Sequence, residues 1–448
     1  MDSDFSRDAK WFVMGAGSLK RMLPFVKSSA GDQIARASTD LVKLVDQHGG
    51  NKILDENNDL VEFSVKKEFA HRAKIIIGKL GDATIFYQLL PRMALVSLVS
   101  LYDAYLGRLV RLIYKLRPEM LSGSGRQLTF AQLTEFPSIE AARDHVVEME
   151  VESLLRDSHT AQFEWLEAKL GLSLRKNLDA WPVFIEATER RNTFVHADGI
   201  VGAQYLNVCR KAGIVIAAEC VSGSKLDVTP EYFSTACDCF CEIVIKLSQV
   251  VWRKLLPGKL EEADKAFIDI SFDLLVQADY KLAEKILSFA ADPAVKHVNK
   301  ENELYLVVNH AIALRAQERI SDCNTLLDKI DWSALSDKFR LAEYVLRGDY
   351  GSAVGVMEKI GSFGHPGKAE YKTWPLFNWF RESAEFELAY ERIFNESFRL
   401  SLETLEIPTQ GNPISPATEG DCESPHISPS HIQTATADIG AASENEDR

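Results

Sequence analysis

The sequence lacks a run of about 18 uncharged apolar residues, the minimum for a membrane-spanning helix. Its closest approach, Met93–Leu106, is interrupted by Asp103. The first residues include Asp2, Asp4 and Asp8, whereas a signal peptide begins with basic residues. We therefore expect no membrane partner and a cytoplasmic location.

Proline and glycine are sparse, with 15 and 25 residues in 448, and the seven cysteines follow no regular framework. Such cysteine usage is typical of a reducing compartment. Cys237, Cys239 and Cys241 alternate, but a zinc site needs differently spaced pairs and further ligands. We expect these cysteines to be buried structural residues, with no metal. The sequence contains no glycine-rich phosphate cradle, so no cofactor is expected.

The net charge of −14 argues against general adhesion to nucleic acid or to anionic membranes. Residues 408–448 contain seven acids and one base, so they carry −6 and leave −8 for the rest of the chain. Local basic surfaces are therefore still compatible with the composition. Five prolines lie among polar and acidic residues in this tail, which predicts a disordered acidic segment at 408–448.

Hydrophobic residues recur with the period of a helix along most of the chain, which predicts an all-α protein. We expect a helical extension at 1–59, a helical bundle at 60–258 and a second helical domain at 259–407. Three of the five strongest predicted helices begin at a proline, and glycine or proline follows the end of several of them. The five are Pro91–Leu116, Ala141–Leu155, Phe163–Leu170, Pro182–Asp198 and Pro230–Leu256.

A weak repeat follows residue 264. Its anchors are Tyr280, Ile320, Tyr350 and Phe386, which lie 40, 30 and 36 residues apart. Each anchor is followed three residues later by a small residue. A period near 35 is typical of tetratricopeptide (TPR) repeats, which are stacked helical hairpins that hold partner proteins. The full consensus is absent, and an ordinary helical bundle is the alternative.

The helix predicted from Pro182 carries Glu189, Arg191, Asn192 and His196. At 100° per residue, Asn192 and His196 lie about 40° apart and share a face. Histidine transfers protons near neutral pH, and arginine stabilises charge on a phosphate, so the pattern fits RNA cleavage by the ribose 2′-OH. The alternative is a helix-end histidine that caps carbonyls, beside an arginine in a surface ion pair.

The stretch Arg191-Asn192-Thr193-Phe194-Val195-His196 resembles the R-x4-6-H motif of HEPN domains, in the form where asparagine follows the arginine. The continuation at 197–206 and the apolar helix Val96–Leu106, with Asp103 as its acid, are also similar to the family. The resemblance covers about Leu60 to Leu255. Arg190, six residues before His196, also fits the spacing, but Asn192 follows Arg191 directly.

The resemblance implies a bundle of four to five helices that forms a homodimer. Two Arg/His motifs would face each other and form one metal-independent site that cleaves RNA. Asn192 would position the phosphate or the histidine, and Asp103 would orient Arg191 or His196. Many family members act in antiphage defence or as toxins, and some have lost catalysis.

A basic stripe at Arg108, Arg111 and Lys115 recurs on one helical face and predicts substrate binding, together with Arg190. A solvated helix face is the alternative. Three hypotheses follow from the sequence: an endoribonuclease, a non-catalytic helical scaffold, and a regulator that binds nucleotides or nucleic acid without cleavage.

Overall fold

The structure is a computed structural model that describes residues 4–54, 60–123 and 125–399. Within these ranges the chain forms sixteen α-helices and one two-stranded sheet, so the predicted all-α class is confirmed. The segment predicted to be a disordered tail, 408–448, lies outside the described residues.

Two long antiparallel helices open the chain. They are α1 (Asp4–His48) and α2 (Ala70–Leu116), joined through the antiparallel strands β1 (Gly49–Leu54) and β2 (Leu60–Val65). The register pairs Gly49 with Val65 and Lys52 with Phe63. The outer parts of α1 and α2 pair as a two-helix arm, whereas their other ends lie in the main core.

The prediction that a helix begins at Pro91 is wrong, because α2 begins 21 residues earlier, at Ala70, and Pro91 lies in its interior. A proline inside a helix removes one backbone hydrogen bond and costs about 3 kcal/mol. Here Pro91 is buried, and α2 packs along α1. Tertiary packing therefore outweighs the local preference of proline for a first turn.

The rest of the N-terminal half surrounds α2. Serine and threonine side chains cap several of these helices: Ser138 accepts from the backbone N–H of Ala141, Ser158 from Ala161, and Thr229 from Tyr232. The helices are α3 (Phe130–Leu133), α4 (Ile139–Arg156), α5 (His159–Leu170), α6 (Trp181–Ala197), α7 (Ala203–Lys211) and α8 (Pro230–Leu255).

The C-terminal half is a series of helical hairpins. Its helices are α9 (Leu260–Val276), α10 (Tyr280–Ala290), α11 (Lys300–Ala316), α12 (Ile320–Leu327), α13 (Asp337–Arg347), α14 (Tyr350–Ile360), α15 (Lys368–Thr373) and α16 (Ala384–Phe394). The repeat anchors Tyr280, Ile320 and Tyr350 are the first residues of α10, α12 and α14. The anchors therefore mark the second helix of successive hairpins.

One continuous core of buried residues extends from Phe5 to Phe398. Within it α8 contacts α1, α2, α9 and α10, and so connects the two halves of the described chain. The first helix thus shares its core with the bundle that follows it.

One stretch of the described chain, Lys67–Leu116, is long and apolar enough to cross a membrane by length and composition. Its most apolar 18 residues have a mean hydropathy of 1.4, and 28% of that window is buried inside the protein. The core helix of a soluble protein passes the same test, so this is weak support for a span. The absence of a membrane partner stays a prediction.

Candidate active site

The helix α6 carries the Arg/His motif. Pro182 lies in its first turn, where a missing N–H costs nothing, and Asp198 ends it in the left-handed conformation with φ of 49°. Gly199 follows with φ of 82°. These signals place Arg191 in the middle of the helix and His196 in its last turn.

Arg191 is fixed by an acid from another helix. Its Nη2 donates to Oδ2 of Asp103 on α2 across 2.9 Å. The guanidinium is only one-fifth exposed, and its buried Nε has no hydrogen-bond partner among the described residues. The structure therefore brings together two of the predicted site residues, Arg191 and Asp103, and leaves one donor of the guanidinium unused.

A third residue, His159, completes this centre. Its Nε2 lies 3.1 Å from Oδ1 of Asp103, and its side chain is buried at 6% exposure. The ring packs against Tyr102 and Phe184, with centroids 5.8 and 5.6 Å away. One carboxylate thus joins α2, α5 and α6 at a single point.

No spacing pattern along the chain points to His159, which lies 56 positions from Asp103. The one local cue is its place after Ser158, a residue that favours a helix N-cap. Contacts between distant helices depend on the tertiary fold, so a motif search along the chain misses this histidine.

Asn192 points to a buried acid. Its Nδ2 donates to Oε1 of Glu189 across 3.3 Å, and Glu189 is 8% exposed. Burial raises the pKa of the Glu189 carboxyl above its usual value, although Asn192, His159 and Arg191 oppose this shift. The structure therefore orients Asn192 through Glu189 on the same helix.

His196 lies on the surface at the end of α6. It makes no hydrogen bond or ion pair with any residue that the structure describes. Its neighbour Val195 is 51% exposed. Two residues after His196, Oδ1 of Asp198 forms an ion pair with Nη1 of Arg92 on α2 across 3.2 Å. A free imidazole therefore stands on a helix end whose position is held by α2.

A cleft of about 360 Å³ opens at His159, one of the two partners of Asp103. His159 and Glu189 line it, together with Arg175, Trp181 and Lys211. The cleft gives solvent a route toward the buried end of the candidate site.

Arg190 belongs to a different network. Its Nε donates to Oε1 of Glu186 across 2.6 Å, its Nη1 donates to the carbonyl of Asp227, and its guanidinium lies 4.2 Å from the ring centre of Tyr232. Tyr205 and Tyr232 each donate to Glu186 across 2.5 Å. Substrate binding by Arg190, as the sequence predicted, would require these contacts to break.

The predicted basic stripe is neutralised by other helices. Arg108 lies 3.6 Å from Asp8 and 4.0 Å from the ring centre of Trp11. Arg111 donates twice to Glu148 of α4 across 2.7 and 2.6 Å, and Lys115 lies 3.3 Å from Asp4. These cations face α1 and α4, whereas Asp103 faces α6.

The alternating cysteines Cys237, Cys239 and Cys241 are buried in α8. Burial raises the pKa of all three thiols, which disfavours the thiolate form that binds metals. Across residues 4–54, 60–123 and 125–399, no group of three or more His, Cys, Asp and Glu side chains is arranged to hold a metal ion.

Comparison of the chain with protein-family models, with curated proteins and with solved structures gave no match. The function is therefore inferred from the site's own chemistry and from the resemblance of its motif.

Proposed function

We propose that the protein is a metal-independent endoribonuclease of HEPN type, acting in antiphage defence or in a toxin-like stress response. One observation carries the proposal. Arg191 is held by Asp103 on a separate helix, while His196, on the same helix as Arg191, is exposed and without a partner in the described chain. The arrangement provides a fixed cation and a free proton-transfer group five residues apart on one helix.

These two groups match the chemistry of RNA cleavage through the 2′-OH. A histidine removes the proton from the 2′-OH as that oxygen attacks the phosphorus, and a second group protonates the 5′-oxygen that leaves. The guanidinium stabilises the charge that builds on the phosphate oxygens. The products are a 2′,3′-cyclic phosphate and a free 5′-hydroxyl.

A second copy of the chain would supply the second proton-transfer group. His159 is buried and engaged with Asp103, so each chain presents one free histidine at this site, His196. Two copies that face each other would bring together two histidines and two arginines, one histidine to act as base and the other as acid.

The surface of α2 beside α6 fits such a dimer. An exposed stripe of residues follows one side of α2. Viewed down the helix axis, the stripe covers an arc of about 80°, and its centre lies about a quarter turn from Asp103. Its members are Phe86, Leu89, Met93, Ser97, Ser100 and Ala104. The first three are large apolar residues at 43 to 52% exposure, and the last three are small enough for close helix contact. The stripe lies next to the helix that carries His196.

The C-terminal hairpins support the remaining part of the proposal, a TPR-like domain that holds a protein partner or senses a trigger. Three of the four anchors begin the second helix of successive pairs, and Phe386 is the third residue of α16. Successive helix pairs are the arrangement of stacked helical hairpins.

A non-catalytic scaffold is the second candidate. The Asp103 carboxylate joins three helices, which is also what a purely structural ion network does. A regulator that binds nucleic acid through His196 without cleaving it is the third. Activity measurements separate the three.

The decisive experiment incubates the purified protein with total RNA in EDTA, beside the His196→Ala and Arg191→Ala variants. His145→Ala, which removes an exposed histidine of α4, is the matched control. We expect cleavage by the wild type and the control and none by the two site variants. Undiminished cleavage by His196→Ala contradicts the site, and RNA binding without cleavage favours the regulator.

A further inference from the structure

Five cationic side chains cluster near the start of α2 and just before it. Lys66, Lys67, Arg72, Lys74 and Lys79 are all exposed. Within residues 66–79 the only acid is Glu68, so this segment carries a net charge of +4 in a chain whose net charge is −14. We name these five residues the arm cluster, because they lie on the two-helix arm formed by α1 and α2.

Among the residues that the structure describes, the arm cluster has no acidic partner. No carboxylate of the described residues lies within 4 Å of any of its five side chains, although α1 runs alongside. In contrast, Arg108, Arg111 and Lys115 on the same helix are all ion-paired. The positive charge that is free to bind a ligand on α2 is therefore at its outer end.

The arm cluster and the candidate site share one helix. Lys79 and Arg72 precede Asp103 by 24 and 31 residues in α2. At about 1.5 Å per residue, they lie about 36 and 47 Å from Asp103 along the helix axis. Pro91 interrupts one hydrogen bond of the helix but does not end it. The distance between the cluster and Asp103 is thus set by one continuous helix.

We infer that the arm cluster binds the phosphate backbone of RNA and aligns it along α2, so that the strand reaches Arg191 and His196. This inference rests on the proposed ribonuclease function. Lysine and arginine bind phosphates without regard to sequence, and they position the nucleic acid while other groups act on it. An A-form RNA duplex rises less per base pair than the about 3.4 Å of B-DNA, so a span of about 36 Å requires more than roughly ten base pairs. The inference therefore predicts a structured RNA of more than that length as the substrate.

An anionic membrane is the competing ligand for a basic helix with exposed apolar residues. A helix that lies on a membrane separates its apolar face from its charged face. Here the two are interleaved, because Ile75 is about 40° from Lys79 on the helical wheel and Ile77 about 60° from Lys74. Both isoleucines are exposed, at 47 and 45%. Interleaving favours contact with a polyanion whose charges approach from several directions.

The test measures binding of a hairpin RNA of about 20 base pairs by full-length protein that carries His196→Ala, which prevents cleavage. In the cluster variant all five residues are changed to glutamine. The matched control changes five exposed lysines elsewhere to glutamine, namely Lys176, Lys254, Lys265, Lys281 and Lys296. Fluorescence anisotropy across a salt series gives Kd and its salt dependence, and urea unfolding checks that both variants are folded.

We expect the cluster variant to bind the hairpin at least tenfold more weakly than the control. The slope of log K against log salt should fall by about 0.9 for each phosphate that the variant no longer neutralises. With His196 restored, the cluster variant should cleave the long hairpin poorly and a short single-stranded substrate normally.

Equal binding by the cluster and control variants overturns the inference, whatever the cleavage assays show. Cluster-dependent binding to anionic phospholipid vesicles, with unchanged binding to RNA, also overturns it and assigns the arm to a membrane. If the wild type binds RNA through the cluster but cleaves nothing, the binding site stands and the proposed nuclease function fails.

Discussion

Arg191 donates from Nη2 to Oδ2 of Asp103 across 2.9 Å, a contact between residues 88 positions apart in the sequence. The other oxygen of Asp103 lies 3.1 Å from Nε2 of the buried His159. This carboxylate is thus the common partner of Arg191 and His159. Its removal should affect both the packing of three helices and the position of the guanidinium.

We therefore expect Asp103→Asn to lower both stability and activity. The amide keeps the size of the side chain but loses the charge that strengthens both hydrogen bonds, and such bonds contribute about 1.5 to 3 kcal/mol each. We expect the free energy of unfolding in urea to fall by about 2 kcal/mol and RNA cleavage to fall at least tenfold. Asp144→Asn is the control, because Asp144 is an exposed residue of α4 that pairs with its neighbour Arg143. An equal loss in that control would contradict the central role of Asp103.

The Glu186 network gives a second prediction, which concerns stability. Burial and the charge of Glu186 raise the pKa of Tyr205 and Tyr232, so both hydroxyls stay protonated and donate to the carboxylate. Tyr205→Phe and Tyr232→Phe each remove one such bond, and we expect each to cost about 1.5 to 3 kcal/mol. Glu186→Ala leaves Arg190 without its partner in a mostly buried position and should cost about 3 to 5 kcal/mol.

Urea unfolding of the single and double variants checks this ranking. Arg190, Tyr205 and Tyr232 share the carboxylate of Glu186. The losses in unfolding free energy from the two tyrosine changes should therefore not be additive in the double variant. A Glu186→Ala variant as stable as the wild type would show that Arg190 finds compensation elsewhere, contrary to the expectation.

The sequence predicted the helices that have strong end signals. Pro230 and the capping Thr229 fix the start of α8, and Pro182 with Gly199 bracket α6, because proline and glycine act through local backbone geometry. The prediction that a helix begins at Pro91 was wrong for the same reason, because it relied on local backbone geometry alone. The local preference of Pro91 is for a first turn, but the packing of α2 on α1 decides its position, and packing is not visible in a local pattern.

For the candidate site too, the sequence predicted the residues that are close together along the chain but not the partners that lie far away in sequence. Arg191, Asn192 and His196 are close in sequence, so their shared helix could be inferred from spacing. Asp103 was named through the family resemblance, and the structure places it against Arg191. The partners of Arg108, Arg111 and Lys115 come from α1 and α4, at distances in sequence that periodicity does not reveal.

Two histidines in the C-terminal hairpins give opposite pH dependences. Burial by itself lowers the pKa of His297, but its hydrogen bonds to Asp264 and to the carbonyl of Ala290 outweigh this and raise it overall. His297 therefore adds stability that is fully present below its unfolded pKa of about 6.5 and is lost as the pH rises through its folded pKa. Burial lowers the pKa of His310 to about 4, with Arg319 and Lys329 contributing. Its contribution is present above pH 6.5 and is lost as the pH falls toward 4.

Unfolding midpoints in urea between pH 4 and pH 8.5 test this pair. His297→Gln should remove a gain in stability that the wild type shows on acidification from pH 8.5 toward pH 6.5. His310→Leu should reduce the loss that the wild type shows between pH 6.5 and pH 4.5. Parallel pH profiles for the wild type and both variants would contradict the expectation.

The last prediction concerns the exposed stripe on α2. If two copies pack along it, a large side chain at one of its small positions must separate the two helices. We expect Ser97→Trp to convert a dimer to a monomer in sedimentation experiments, with helix content unchanged because residue 97 is exposed within each chain. Ser29→Trp, at an exposed position of α1, is the control that keeps the dimer. RNA cleavage should disappear with the dimer, because each chain supplies one free histidine. A Ser97→Trp monomer that still cleaves RNA would mean that one chain contains a complete site, and His159 would then be the group to test as the second proton-transfer residue.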